Sequence, residues 1–193
     1  MARKAGVKRK TSETDVSIEL NLDGRGETSV STGLKFFDHM LNSFGKHSLI
    51  DLKIKATGDL EVDEHHLVED VAICLGKTLN KALGSKRGIR RFGYAIVPMD
   101  DSVAVAAIDF GGRAYLILKL PLRGRKVGDV NVENFEHFMD TLSKAMEANV
   151  YIEVKGRNDH HKVEAMFKAL ALSVREAVRK EPRAGIPSTK GRI

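Results

Sequence analysis

Asp63-Glu64-His65-His66-Leu67-Val68-Glu69 is answered late in the chain by Asn158-Asp159-His160-His161-Lys162-Val163-Glu164. Upstream of each stands an isolated histidine in a matching setting, Phe37-Asp38-His39-Met40 and Phe135-Glu136-His137-Phe138. The interval from isolated histidine to pair is 26 residues in the first case and 23 in the second. Each interval holds a helical pattern, then a short alternating strand, 50–55 or 150–155, and a glycine-containing loop. The chain is therefore read as an internal duplication, with half-repeats over residues 1–92 and 93–193 forming one compact unit.

Working outward, Val16-Ser17-Ile18-Glu19-Leu20-Asn21-Leu22 alternates with period two and stops at Asp23-Gly24, a strand and a turn. Residues 27–32 are expected to supply the returning strand. The second half opens with strands at 94–98, 102–110 and 114–120. Asp63 and Asn158 occupy N-cap positions, which puts both histidine pairs in a helix's first turn. Leu67, Val71, Leu75, Leu79 and Leu83 then form an apolar stripe, as do Val163, Phe167, Leu170, Val174 and Val178. The expected fold is α+β: two strand-strand-helix-strand-helix halves, with the helices sandwiched between two four-stranded sheets.

Bulk composition limits the function classes. The 193 residues are 42% apolar and 30% charged, a globular balance. The net charge of +6 is concentrated in Arg3, Lys4, Lys8, Arg9 and Lys10 and in Arg179, Lys180, Arg183, Lys190 and Arg192, runs read as solvated ends. Absence of tryptophan and the presence of only three tyrosines argue against a stacking platform for single-stranded nucleic acid. A single cysteine, Cys74, lies in an apolar helical pattern and suits a reducing cytoplasm. No apolar run approaches membrane-spanning length and no signal segment is recognised, so a cytoplasmic protein is expected.

Seven histidines occur, and six of them, His39, His65, His66, His137, His160 and His161, fall at matched positions of the repeat with Glu69 and Glu164. Neighbouring helical residues diverge by about 100°, so the two members of a pair do not readily face one ion. Glu69, four residues after His65, shares its face. Such a helix offers one His–Glu pair to one ion and its other histidine to a second. Six imidazoles and two carboxylates suffice for two ions, each with three histidines and one glutamate, and because two helices of one chain need not face each other, ligands from neighbouring subunits are allowed for. His-Glu-x-x-His is absent, and one cysteine excludes a thiolate zinc site. Manganese, iron, cobalt, nickel and zinc all suit this donor set.

Four segments together, 36–41, 63–70, 158–164 and Ile186-Pro187-Ser188-Thr189-Lys190-Gly191, resemble the imidazoleglycerol-phosphate dehydratase family over nearly the whole chain. That resemblance implies two manganese ions per active site, at subunit contacts in a homo-oligomeric shell of twenty-four. It also implies a phosphorylated imidazole substrate, with neither nucleic acid nor membrane as partner. Residue by residue, Glu13 matches a substrate-contacting acid/base, and Arg91 and Arg113 match phosphate-binding arginines. Lys168 is placed near phosphate, Ser188, Thr189 and Lys190 match a C-terminal phosphate loop, and His47 falls in a substrate-contacting stretch. Composition alone would make that tail disordered, Glu13 a surface residue and Arg90 a solvent-facing neighbour of Arg91.

The implied reaction is loss of water from D-erythro-imidazole-glycerol 3-phosphate to give imidazole-acetol phosphate, a step of histidine biosynthesis. The proton removed is not next to a carbonyl. The expected route drives the substrate ring toward imidazolate on the metals, expels the adjacent hydroxyl through a diazafulvene-like species and forms an enol that tautomerises. Two other classes fit the donor set, a di-metal hydrolase of a phosphorylated substrate and a metal-storage shell. Assay of the dehydration separates the first, and a fixed rather than variable metal loading separates the second.

Overall fold

Strict alternation in the strands and four-residue spacing in the helices set the layers of this chain, described in a computed structural model over residues 3–181, 185–191 and 193. Arg183 and Arg192 lie outside the described residues. The first half runs β1 (Lys4–Lys10), β2 (Thr14–Asn21), β3 (Thr28–Ser31), α1 (Lys35–Ser48), β4 (Asp51–Gly58) and α2 (His65–Leu83). The second runs β5 (Phe92–Met99), β6 (Ser102–Asp109), β7 (Tyr115–Lys119), a small hairpin of β8 (Lys126–Val127) and β9 (Val130–Asn131), α3 (Val132–Met146), β10 (Asn149–Lys155) and α4 (Asp159–Val178).

Each half folds into a four-stranded sheet, in the orders β1-β2-β4-β3 and β5-β6-β10-β7. The architecture is the expected duplicated α+β arrangement. Val16, Ile18 and Leu20 of β2 and both helical stripes, Leu67 to Leu83 and Val163 to Val178, are buried in one continuous core. Helix α2 packs on β1, β2 and α3, while α4 packs on β5, β6 and α1, so each half's second helix meets the other half's first. Cys74 is buried in this core, and burial raises its thiol to about 11. No helix among the described residues is long and apolar enough to cross a membrane.

Three local expectations are corrected. Lys4–Lys10 is an ordered edge strand rather than a solvated end. Lys4, Lys8 and Lys10 face outward, while Ala5 and Val7 pack on the core and Arg9 reaches Asp70 at 2.6 Å. The strand at 28–31 does not return along β2; it pairs in parallel with β4, because α1 carries the chain across the sheet before β4. The N-cap of α2 is Glu64, one residue beyond Asp63, although the Asp63 carboxylate still accepts from the His65 backbone N–H at 2.8 Å. Asn158 caps α4 as expected, accepting from the His161 N–H at 3.2 Å.

Candidate metal centre

All four helices deliver a histidine near an N-terminal turn. The cross-packing of α1 with α4 and of α2 with α3 decides how these histidines group. His39 joins His160 and Glu164, and His137 joins His65 and Glu69, with the donor atoms of each trio all within 4.8 Å of one another. Each trio thus takes its isolated histidine from one half and its His-x-x-x-Glu from the other. The His65 and His137 rings stack at 4.3 Å between centroids. His137 Nε2 lies 3.4 Å from Glu69, and it is a buried nitrogen with no hydrogen-bond partner. An imidazole nitrogen held beside a carboxylate and left unbonded fits a metal ion.

The other members of the pairs face elsewhere. His66 lies at 80° to the His65 ring, and His161 at 83° to that of His160. Both are backed by an aspartate: His66 Nδ1 sits 3.0 Å from Asp59, and His161 Nδ1 sits 2.8 Å from Asp101. A carboxylate on Nδ1 holds the proton there and frees Nε2 as a donor, the arrangement common behind metal-bound histidines. Hydrogen bonding to Asp59 raises the His66 pKa, and the bond from His161 lowers the Asp101 carboxyl to about 2. Glu13, in the turn between β1 and β2, lies 3.8 Å from His66 Nδ1. Asp100, in the corresponding turn between β5 and β6, lies 3.4 Å from His161 Nε2.

The chain does not gather the remaining candidates at one place. Lys168 Nζ lies 2.8 Å from Glu164 and 3.3 Å from Met99 Sδ, at the metal end of α4. Burial of Glu164 works against ionisation, but the hydrogen bond and charge of Lys168, with His39 and His160, leave its carboxyl lowered. His47 is lowered by burial and then by the charge of Lys168. Arg91 precedes the opposite end of β5, eight residues before Met99 and roughly 26 Å away along the strand at about 3.3 Å per residue. There its guanidinium grips Asp109 at 2.6 and 3.0 Å and donates to the Pro187 carbonyl at 2.8 Å. The tail is therefore folded against Arg91. Ser188 accepts from the Gly191 and Lys190 backbone N–H groups, and Thr189 and Lys190 are exposed. Arg113 is exposed on the loop before β7, where its carbonyl accepts from Asn149. Arg90 is not simply solvent-facing, since it pairs with Glu176 and Glu181.

Asp59, Asp101, Glu64 and Asn134 escaped the sequence reading. Only the last left a signal. Superposing the repeats on Phe37/Phe135 sets Asn134 opposite Phe36, a polar residue against an aromatic one.

Residues 32–174 match a family model described as imidazoleglycerol-phosphate dehydratase. An imidazoleglycerol-phosphate dehydratase of Methanothermobacter thermautotrophicus is 52% identical over 191 residues, covering 99% of this chain and 98% of the relative. A histidine biosynthesis bifunctional protein of Bacteroides fragilis is 50% identical over 98% of this chain and half of its own length. Among solved structures, that of imidazoleglycerol-phosphate dehydratase from Pyrococcus furiosus superposes with a TM-score of 0.84 at 34% identity, covering 97% of this chain and all of that one.

Proposed function

The chain belongs to the imidazoleglycerol-phosphate dehydratase family, a dehydratase of histidine biosynthesis, and from that premise we propose that it works through two manganese ions shared between copies of the chain. The substrate is D-erythro-imidazole-glycerol 3-phosphate and the product imidazole-acetol phosphate. The observation that carries this reading is the division of donors. Each trio supplies two histidines and one glutamate, while His66 and His161 stand outside both, their rings turned about 80° from those of His65 and His160 and their Nδ1 atoms held by Asp59 and Asp101. An outward imidazole from another copy completes each set at three histidines and one glutamate, leaving positions open on a six-coordinate ion.

Bound manganese would supply Lewis-acid polarisation of the substrate ring, easing its deprotonation. The chain's own groups do the rest. His39, His160 and Glu164 hold one ion, and His65, His137 and Glu69 hold the other. Glu13 beside His66 moves the proton at the carbon adjacent to the one that loses its hydroxyl. Arg91, Arg113, Lys168, Ser188, Thr189 and Lys190 bind the phosphate, and His47 contacts the substrate. Guanidinium forks and ammonium groups suit a phosphate dianion.

Assembly also accounts for the separation of Arg91 from the metal end by roughly the length of β5, about 26 Å, which no motion of a rigid strand closes. A surface for it exists. Phe92, Tyr94, Ile96, Val105, Tyr115 and Ile117 stand on the outer face of the second sheet, with Tyr94 71% and Ile96 68% exposed. The first sheet turns Lys4, Lys8, Asp15, Glu19, Lys53 and Lys55 outward instead. An apolar face of this extent on one sheet only marks a subunit contact, and the proposed particle has twenty-four copies. Dehydration assayed on metal-stripped protein tests the reading. Activity absent without metal and restored by manganese supports it; full turnover without any divalent ion ends it.

A further inference from the structure

The duplication is broken at three positions beside the metal trios, and the breaks fall where they change the chemistry of the ligands. His65 Nδ1 lies 3.0 Å from Asn134 Oδ1. Asn134 is 2% exposed, and its Nδ2 donates to Glu64 Oε1 at 3.2 Å. The same Glu64 oxygen accepts from the Asn131 backbone N–H at 2.6 Å. A carboxylate accepts only, so the Asn134 amide must turn its NH2 to Glu64 and its oxygen to His65. An oxygen there requires the proton on His65 Nδ1, which leaves Nε2 as the donor. Asn134 also stands one turn before His137 on α3. The Glu64–Asn134–His65 chain therefore ties the first turns of α2 and α3 together and keeps His137 against its partners.

None of this exists in the other trio. Phe36 replaces Asn134, and its ring meets His160 edge-on at 5.1 Å between centroids, giving no acceptor. Asp159 replaces Glu64, but its carboxylate is taken by Lys162 at 2.5 Å and by the Arg123 and Gly124 backbone N–H groups, both at 2.8 Å. Lys168 pairs with Glu164, whereas the residue equivalent to Lys168 in the first half is Ile73. An ion entering the His39 trio must therefore draw Glu164 from an ammonium and orient a His160 ring that is backed by an aromatic edge where His65 has an amide oxygen.

We propose that the two ions are bound unequally: the His65–Glu69–His137 position fills first and tightly, the His39–His160–Glu164 position second and exchangeably, with Asn134 as the positioning residue that sets the difference. The inference rests on the two-metal reading above. Loss of an outer-shell partner typically weakens metal binding 10–100-fold, so the two affinities should differ by about tenfold or more.

Manganese titration of the metal-stripped full chain, with free Mn(II) followed by electron paramagnetic resonance, tests this. Two classes of one ion per chain each are expected. Asn134→Phe, which copies the other half, should weaken the tight class by about 10–100-fold and spare the weak one, with folding checked by circular dichroism. Lys168→Met should tighten the weak class alone, and it decides the matter should Asn134→Phe fail to fold. Two equal sites in the unmodified protein, or a tight class indifferent to Asn134→Phe, would overturn the inequality while leaving the two-metal reading standing. Binding of fewer than two ions per chain would sink that reading itself.

Discussion

Glu13, beside His66 in the turn between β1 and β2, lies 3.8 Å from a ring that Asp59 already backs. It is close enough to the metal end to serve a substrate held there, yet outside both trios. Glu13→Gln is therefore expected to lower kcat by about 10²–10⁴-fold, the usual worth of a positioned acid/base. Manganese stoichiometry should be unchanged; near-normal turnover would remove Glu13 from the chemistry. At this scale the candidate ligands were legible, because a histidine pair repeated with its glutamate and its upstream partner is hard to produce by packing. Which histidine joins which was not legible. Helical spacing places His65 and Glu69 on one face but is silent on α3, 63 residues further on, which brings His137 to them. Asp59 and Asp101 were hidden for the same reason: each meets its histidine through strand and loop geometry that no local pattern records.

Helix contact, rather than helix formation, sets the trios. Gly76 of α2 lies against α3 so closely that an added Cβ would stand 2.5 Å from Ala145 Cβ and 2.9 Å from its carbonyl carbon. Gly76→Ala gains about 1 kcal/mol of helix propensity but overpacks backbone, at about 1–3 kcal/mol. The contact should win. A lower Tm is expected, with reduced manganese retention because α3 carries His137 away from α2; an unchanged Tm and full loading would refute the close approach. A second contact binds the ends of the chain. Arg3 donates to the Val178 carbonyl and pairs with Asp23 at 2.6 Å, and its hydrogen bond to Asp23 lowers that carboxyl from its ordinary 3.8 to about 2. A depressed carboxyl stabilises the fold above its unfolded pKa and loses that contribution as pH falls through the folded value. Asp23→Asn should thus melt earlier than the parent near pH 6, and the gap should close between about pH 4 and pH 2. The helices and most strands followed from periodicity. The edge strand β1 did not, because its outward lysines mask the alternate residues Ala5 and Val7, and the β3–β4 pairing did not, because parallel neighbours leave no turn signature.

As a whole molecule, the chain is two four-stranded sheets with four helices packed in pairs, and those pairs bring the two histidine–glutamate trios together. Its fold class was readable from the repeat, since two equal halves with apolar helices need sheets on both sides. The apolar outer face of the second sheet was not, because alternation there puts apolar residues on both faces and reads as buried strand. Tyr94→Lys with Ile117→Lys should split the assembly, seen as a smaller mass by light scattering, and should abolish dehydration while each protomer keeps its fold; an unchanged mass would free that face from any role in assembly. The sharing of metal positions between copies is tested most directly by complementation. His137→Ala breaks a trio within its own chain, and His66→Ala with His161→Ala removes both outward imidazoles; each protein alone should be inactive. Co-expressed under two affinity tags, mixed particles unite an intact trio on one chain with intact outward imidazoles on another, so dehydratase activity should return. Mixed particles as inactive as either parent would contradict the shared site.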